Sequence, residues 1–212
     1  MLTSLDSAYD EFGEPARREL VAEARREAEH LHRFATNLVH MTRLEAAALD
    51  LHREPIAVAE LVEAALGRAR AILAPRKLLV EVPAGLPDLR ADAVLIEQAL
   101  FNVLENAAKY TPPDATVTLS ARRTGDAVML RIADTGPGIP PNDLDRIFVK
   151  FYRAAAGTHG TGLGLAICRG FIEAHGGTVT AANRPDRTGA IFTIVLPVTE
   201  RGPGIAEAGR QP

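Results

Sequence analysis

The segment from Ala16 to Asp50 strongly constrains what this chain can fold into, because its 35 residues contain neither proline nor glycine. Alanine, leucine, glutamate and arginine dominate it, and all four favour helices. Apolar residues at heptad-like spacing form one stripe, which Glu27 and Glu45 interrupt: Leu20, Ala24, Leu31, Phe34, Leu38, Met41 and Ala48. The segment predicts a long amphipathic helix that needs a partner. A helix packed only on its own domain is the alternative, although the predicted length exceeds that of most globular helices.

A change of composition at residues 51–55 marks a domain boundary, since helical and strand patterns alternate beyond it. Helices are predicted at 59–73, 92–110 (with Asp92 as N-cap) and 163–174, and strands at 78–82, 116–122, 127–133, 178–182 and 190–196. This order predicts an α/β (α+β) sandwich with a mixed β-sheet and helices on one face. Residues 1–50 then form a helical appendage, 51–198 one domain, and 199–212 a disordered tail with few bulky apolar residues.

Composition limits the cellular setting. The formal net charge of -3 gives no electrostatic reason to expect nucleic acid as a partner. Cys168 is the single cysteine, so no internal disulfide can form and a cytoplasmic location is expected. No stretch of the sequence approaches the roughly 20 apolar residues that span a bilayer, so no membrane segment is predicted in this chain. A longer parent protein anchored in the inner membrane remains compatible with this.

Four segments between residues 102 and 165 carry the candidate chemistry, and the first lies in the helix predicted at 92–110. Glu105 and Asn106 are adjacent, and each is three or four residues from Asn102 and from Lys109, so the four residues share one helix face. Amide and carboxylate oxygens suit Mg²⁺, a carboxylate can orient a water or hydroxyl, and lysine pairs with phosphate. A solvated helix face with incidental asparagines is the alternative.

The second segment, residues 133–140, follows a predicted strand and contains Asp134, Gly136 and Gly138. The glycines let a ligand approach the backbone closely. Asp134 can accept a hydrogen bond from an exocyclic amine such as that of adenine. A tight turn without a ligand is the alternative.

The third segment, residues 148–153, sets Phe148 and Phe151 beside Lys150 and Arg153. The two phenylalanines are predicted to anchor a loop, and the two cations to reach phosphates. The alternative is an anchored loop whose cations are only solvated.

The fourth segment, residues 157–165, has glycines at 157, 160, 162 and 164 and runs directly into a predicted helix. Unpaired backbone N–H groups at a helix start bind anions, and glycines allow close approach. A Rossmann loop does not fit, because no strand immediately precedes the glycines. A Walker A loop does not fit either, because no Gly-Lys-Ser/Thr sequence follows.

Together and in this order, the four segments resemble the N, G1, F and G2 boxes of the sensor histidine kinase catalytic domain, of the ATPase superfamily shared with gyrase B, Hsp90 and MutL. The resemblance covers residues 51–198, and the preceding helix is similar to the second helix of the family's dimerisation hairpin. Residues 104–110, 166–169, 175–178 and 183–185 look most like KdpD-type osmosensitive potassium sensor kinases. The resemblance implies that superfamily's fold, binding of ATP and Mg²⁺, and transfer of the γ-phosphoryl group to a histidine in two-component signal transduction.

The resemblance also implies roles for individual residues. Asn106 would bind Mg²⁺, Glu105 would be a base or orienting carboxylate, Asp134 would receive the adenine amine, and residues 154–162 would form a mobile lid. The residues expected to bind ATP are Asn102, Asn106, Lys109, Tyr110, Asp134, Gly136, Gly138, Ile139, Lys150, Phe151, Tyr152, Arg153, Gly160, Thr161, Gly162, Leu163, Gly164 and Leu165.

The family's phosphoacceptor motif is missing, because none of the six histidines has the expected Glu/Asp-x-x-Arg-Thr-Pro-like sequence after it. Residues 1–10 resemble the tail of the helix that would carry it. His30, His32 and His40 are predicted to be solvated, and His175 to be a cation at a helix end. The chain is therefore expected to bind ATP without labelling itself.

Expected partners are a phosphoacceptor histidine on a complete hairpin, a response regulator and, in the parent protein, a second copy of the chain. The alternative function is a non-enzymatic, nucleotide-binding regulatory module of the same fold that resembles anti-sigma factors. The long N-terminal helix favours the kinase, because such a regulator does not need a remnant of a hairpin.

Overall fold

The computed structural model describes residues 13–46, 49–153, 161–186 and 188–198. The helices are α1 (Glu14–Glu45), α2 (Val58–Leu73), α3 (Ala93–Tyr110) and α4 (Gly164–Ala174), with a 3₁₀ turn at Pro141–Asp143. The strands are β1 (Glu54–Ile56), β2 (Lys77–Glu81), β3 (Leu89–Ala91), β4 (Thr116–Thr124), β5 (Ala127–Asp134), β6 (Thr178–Asn183) and β7 (Ala190–Pro197). Within the described ranges, no helix combines the length and the apolar character needed to cross a membrane.

Five strands form the central sheet in the order β2-β4-β5-β7-β6. β2 runs parallel to β4 and every other pair is antiparallel, so the sheet is mixed. Buried residues alternate with more exposed ones along β4 and β5, and the buried ones join α2, α3 and α4 in one apolar core. The predicted sandwich is confirmed, and the five strands begin and end within two residues of their predicted bounds.

A second, two-stranded sheet was not predicted. β1 and β3 pair antiparallel through three residues each, from Glu54 opposite Ala91 to Ile56 opposite Leu89. Strands this short show too little periodicity to detect, and Pro55 argues against a strand on sequence grounds alone. The small sheet ends one residue before Asp92, whose side chain accepts a hydrogen bond from the Leu95 N–H and caps α3 as predicted.

Helix α1 is shorter than predicted and packs on the domain through its C-terminal part. It ends at Glu45, five residues before the predicted end, with Ala46 as its C-cap. Met41 is buried and Leu44 packs against the same core, close to Gly170 of α4. Further towards its N-terminus the apolar stripe is exposed, as at Leu31 and Phe34. The stripe therefore divides into a part that packs on the domain and a part that does not.

The prediction that His40 is solvated is wrong. Its ring meets the Phe171 ring edge to face at a centroid distance of 5.2 Å. Its Nδ1 atom is buried and has no hydrogen-bond partner among the described residues. Burial, and next the charges of Arg43 and Arg68, lower the pKa of His40. The neutral ring is therefore part of the contact between α1 and α4.

The prediction that His175 is a cation at the end of α4 is also wrong. Its side chain is buried, Nε2 accepts the Asp92 N–H at 3.0 Å, and Nδ1 lies 2.7 Å from the Phe171 carbonyl. An Nε2 that accepts carries no proton, so Nδ1 is the protonated nitrogen and the ring is neutral. Burial accordingly lowers the pKa of His175. This neutral ring joins the end of α4 to the start of α3.

The His40 contact predicts an acid sensitivity of stability. The pKa of His40 is lowered below 6.5 in the folded chain, so its stabilising effect is complete above pH 6.5 and is lost as the pH falls through the folded-state value. We expect the melting temperature to fall between about pH 7.5 and pH 5, and His40→Leu to flatten this fall. The matched control is His32→Leu, which removes an exposed histidine from the same helix. Identical pH slopes for the wild type and His40→Leu would contradict the assignment.

Candidate functional site

A cavity of about 1150 Å³ brings residues of all four predicted segments together. This volume is large enough for a cofactor-sized molecule. The predicted site residues that line it are Glu105, Asn106, Lys109, Tyr110, Asp134, Gly138, Ile139, Tyr152, Arg153, Thr161, Gly162, Gly164 and Leu165. Asn102, Gly136, Lys150, Phe151 and Leu163 do not line it. Gly160, the rest of residues 154–160, residues 1–12 and the tail after residue 198 lie outside the described residues.

The polar face of α3 forms the centre of this cavity. Asn102 is buried behind the wall, where its Nδ2 donates to the Gly164 carbonyl at 2.9 Å and its Oδ1 accepts from Gln98 at 2.8 Å. Asn106 Nδ2 donates to the Asn102 carbonyl at 3.0 Å. Asn102 thereby fixes the start of α4 to the middle of α3. The hydrogen bond from Nδ2 orients the Asn106 side chain. Its Oδ1 makes no hydrogen bond among the described residues.

Asp134 ends β5 as a buried carboxylate. Its Oδ1 accepts two backbone N–H groups, from Gly136 at 2.8 Å and from Ala190 at 3.2 Å. Its Oδ2 accepts no hydrogen bond from the part of the chain that the structure describes. Because Asp134 also lines the cavity, this second oxygen is an acceptor available to a ligand.

The backbone around Asp134 is packed too tightly for side chains at two positions. A Cβ at Gly189 would overlap the Asp134 carbonyl oxygen, and Gly189 has φ +132°. A Cβ at Gly136 would lie 2.8 Å from the Thr111 side chain and 3.3 Å from the Tyr110 carbonyl. Gly136 therefore shapes the cavity without lining it. Gly189 was missed, because a glycine between two strands has no feature that separates it from an ordinary loop glycine.

Asn183, at the end of β6, fixes the loop after Asp134 and was also missed as a site residue. Its Oδ1 accepts the Ile139 N–H and its Nδ2 donates to the Ile139 carbonyl, each at 2.7 Å. Gly138 permits this close approach, since a Cβ there would lie 2.8 Å from Asn183 Oδ1 and its φ is +82°. Asn183 and Ile139 are 44 residues apart, so no local sequence pattern indicates that they pair.

The third segment divides between the core and the cavity. Phe148 is buried, as its predicted anchoring role requires, whereas Phe151 is 61% exposed, so its predicted role as an anchor is wrong. Phe151 instead contributes its backbone: at φ +63° its N–H donates to the Gly162 carbonyl at 3.0 Å. A Cβ at Gly162 would lie 2.7 Å from this backbone, so glycine is required where the two segments meet.

The cations and the tyrosine of this segment differ in their surroundings. Lys150 pairs with Glu45 at the end of α1. Tyr152 lines the cavity and donates its hydroxyl proton to Asp143 Oδ1, a hydrogen bond that raises the pKa of Tyr152. The Arg146 guanidinium stacks over the Tyr152 ring, 4.3 Å from its centroid. The Tyr152 side chain is therefore held from two sides at the cavity wall.

Helix α4 begins at the cavity without a side-chain cap. Leu163, its N-cap residue, is buried, and its N–H is 3.3 Å from Thr161 Oγ1. Gly164 and Leu165, the first two residues of the helix, line the cavity. N–H groups of a first helical turn have no intrahelical partner, so this end of α4 presents donors and a positive dipole end to a ligand.

Two further residues were not predicted: Arg76, which supports α3 from outside the cavity, and Arg33, which lines it. Arg76 donates to Thr111 Oγ1 at 2.7 Å and to the Ile72 carbonyl at 3.1 Å, and it also donates to the Ala108 carbonyl. It thereby ties the end of α2 to the last turn of α3. Arg33 of α1 lines the cavity and approaches Glu105, with 3.8 Å between Nε and Oε1.

Comparisons with known proteins agree with this geometry. The sequence model of the family described as histidine kinase-, DNA gyrase B- and HSP90-like ATPase matches residues 91–200. Sensor protein KdpD of Escherichia coli (strain K12) is 36% identical over 198 residues, which make up 92% of this chain and 22% of that protein. The chain therefore spans about a fifth of the length of this relative.

Solved structures give the same result. The mycobacterial sensor histidine kinase MprB is 33% identical with a TM-score of 0.63, over 68% of this chain and 97% of that chain. Full-length ShkA in complex with AMPPNP is 30% identical with a TM-score of 0.74, over 86% of this chain and 39% of that chain. These matches confirm the resemblance that the four segments predicted, and they do not favour the anti-sigma-factor-like alternative.

Gly189 offers a test of the packing around Asp134. Gly85→Ala introduces a side chain at φ +82° in open space, so we expect a cost of about 1–2 kcal/mol from conformation alone. Gly189→Ala adds an overlap with the Asp134 backbone, so we expect a further loss of about 1–3 kcal/mol in the free energy of unfolding. Urea denaturation measures both. Equal losses for the two variants would show that the close approach does not exist.

Proposed function

The chain belongs to the histidine kinase-, DNA gyrase B- and HSP90-like ATPase family, and we propose that it binds ATP with Mg²⁺ and transfers the γ-phosphoryl group to a histidine as the catalytic part of a sensor kinase. The observation that carries the proposal is the single cavity shared by α3, Asp134 and the start of α4. The predicted division into an N-terminal hairpin remnant and a catalytic domain from about residue 51 is part of this proposal.

The adenine end of the site is at Asp134. Its Oδ2 accepts a hydrogen bond from the exocyclic amine, while Oδ1 keeps its hydrogen bonds from the Gly136 and Ala190 N–H groups. Ile139 and Phe192 supply apolar surface beside it. The ring of Tyr110, with the Lys109 ammonium 4.8 Å from its centroid, lines the cavity at the end of α3.

The residues present fit a magnesium ion brought in with ATP. Asn106 Nδ2 is engaged by the Asn102 carbonyl, which leaves the amide oxygen as a ligand. No cluster of three or more His, Cys, Asp or Glu side chains that could hold a metal alone occurs in the described ranges. Mg²⁺ commonly takes one or two protein oxygens together with phosphates and water, so a single amide oxygen is consistent with it. When bound, the ion neutralises charge on the β- and γ-phosphates.

The phosphates are held at the start of α4. Its uncapped first turn supplies N–H donors at Gly164 and Leu165, and Gly162 lets the polyphosphate approach the backbone. Glu105, next to Asn106 on α3, orients the attacking imidazole by accepting a hydrogen bond from its N–H group. The other ring nitrogen forms a bond to the γ-phosphorus as the bond from that phosphorus to the β–γ bridging oxygen breaks, and ADP leaves with this oxygen. Catalysis then rests on positioning and on stabilisation of charge.

The partners follow from the kinase reaction. The phosphoryl group goes to a histidine on a complete hairpin and from there to a response regulator. In the full-length protein a second copy of the chain supplies the other half of the dimerisation bundle, to which the exposed residues Leu31, Phe34 and Leu38 of α1 would contribute.

Asp134→Asn tests the nucleotide site without removing its local structure. The amide oxygen of Asn can still accept the Gly136 and Ala190 N–H groups, while Oδ2 becomes a donor that opposes the adenine amine. We expect the affinity for ATP to fall about tenfold or more, measured by calorimetry with Mg²⁺ present. Asp126→Asn, an exposed carboxylate in the β4–β5 turn, is the control and should bind like the wild type. Unchanged affinity in Asp134→Asn would contradict the proposed adenine contact.

Self-labelling tests the missing phosphoacceptor. The purified chain incubated with Mg²⁺ and γ-³²P-labelled ATP is expected to retain no acid-labile, base-stable phosphate, because none of its six histidines has the phosphoacceptor sequence. Stable incorporation at a histidine would overturn this part of the proposal.

A further inference from the structure

We propose that Arg33, on helix α1, belongs to the nucleotide site and binds the terminal phosphate of ATP. The inference rests on the proposed function and adds a ligand contact from outside the four segments. Arg33 and Asn37 are four residues apart on one face of α1, and both line the cavity that also contains Asn106 and Gly164. The family's sequence model matches residues 91–200. The wall of the site therefore includes a helix that lies outside this match.

The position of Arg33 along the cavity identifies the part of the ligand that it meets. Asn102 and Tyr110 are eight residues apart on α3, or about 12 Å along the helix axis. The Asn102 end is bonded to Gly164 at the start of α4, whereas the Tyr110 end is packed against the turn that follows Asp134. Arg33 approaches Glu105, which lies between Asn102 and Tyr110 and is nearer to Asn102. A nucleotide with its base at Asp134 and its phosphates at Gly164 directs its terminal phosphate towards Arg33.

The guanidinium of Arg33 has hydrogen-bond donors that the described residues do not use. Its Nε lies 3.8 Å from Glu105 Oε1, too far for a hydrogen bond, and the two side chains are 47% and 41% exposed. A pair this exposed and this long contributes little to stability. The two terminal amino groups of Arg33 have no hydrogen-bond partner among the described residues. A phosphate oxygen pair matches that donor geometry better than the present contact does.

A contact with the terminal phosphate would also affect Glu105. An Arg33 that turns to the phosphate no longer neutralises the Glu105 carboxylate, which is then available to the imidazole that attacks. The phosphate contact of Arg33 would therefore make the pairing of Glu105 depend on whether the γ-phosphate is present. ADP lacks that phosphate, so it should leave the Arg33–Glu105 pair unchanged.

The test compares two nucleotides on the 212-residue chain. Calorimetry with Mg²⁺ measures the affinities for AMPPNP and for ADP in the wild type, Arg33→Ala, Arg33→Lys and the control Arg25→Ala. Arg25 lies on the same helix, pairs with Glu29 and is exposed, so the control removes the same charge away from the cavity. We expect Arg33→Ala to weaken AMPPNP about tenfold and ADP less than about twofold, with Arg33→Lys in between.

Three outcomes would overturn the inference while the wild type still binds AMPPNP: no loss in Arg33→Ala beyond that of Arg25→Ala, an equal loss for AMPPNP and ADP, or a loss that disappears in a Glu105→Gln background. The last would mean that Arg33 acts through Glu105 alone, because a double-mutant cycle separates the two contacts. Absence of nucleotide binding in the wild type would instead overturn the proposed function, and the inference with it.

Discussion

The cavity depends on a buried carboxylate that ends a central strand. Asp134 uses one oxygen to hold two backbone N–H groups, those of Gly136 in the following loop and Ala190 at the start of β7. A buried charge is costly unless it is hydrogen-bonded, so these two donors fix the loop and the strand around it. Gly189 brings the chain so close to the Asp134 carbonyl that a side chain there would overlap it. These contacts hold the Asp134 side chain in one position, so the fold determines where its second oxygen, Oδ2, lies in the cavity.

A second set of contacts fixes the end of the cavity that lies opposite Asp134. Asn102 bonds α3 to the start of α4, and the neutral ring of His175 bonds the end of α4 back to the start of α3. Arg76 secures the last turn of α3 against α2. Helix α3 is thus constrained along its whole length. The side chains on its polar face are therefore held in fixed positions, which the proposed phosphoryl transfer requires.

Local patterns predicted most of the fold. The five strands of the central sheet and helices α2, α3 and α4 follow from alternation, helix period and capping, because each has enough residues to show its period. β1 and β3 were missed since three residues show none. Four segments predicted the cavity, because their spacing placed polar side chains on one helix face and glycines at a helix start.

What the sequence could not predict depends on pairing between distant parts of the chain. Asn183 forms hydrogen bonds with Ile139, and Gly189 packs against the backbone of Asp134. Arg33 approaches Glu105. In each pair the two residues are far apart in sequence. The solvated His40 and the charged His175 were wrong for a related reason. Both lie on helix positions that suggest exposure, but tertiary packing buries His175 and half-buries His40 against Phe171. Lys150 was expected at the phosphates but pairs with Glu45 of α1, a contact that sequence alone does not indicate.

The contacts around α3, the Asp134 loop and the start of α4 predict that these three parts together hold one magnesium nucleotide. A crystal structure of this chain grown with AMPPNP and Mg²⁺ tests this prediction. We expect the adenine amine at Asp134 Oδ2, the metal at the Asn106 amide oxygen, and phosphate oxygens at the backbone of Gly164 and Leu165. A nucleotide bound elsewhere, or bound here with its base at α4 and its phosphates at Asp134, would contradict it.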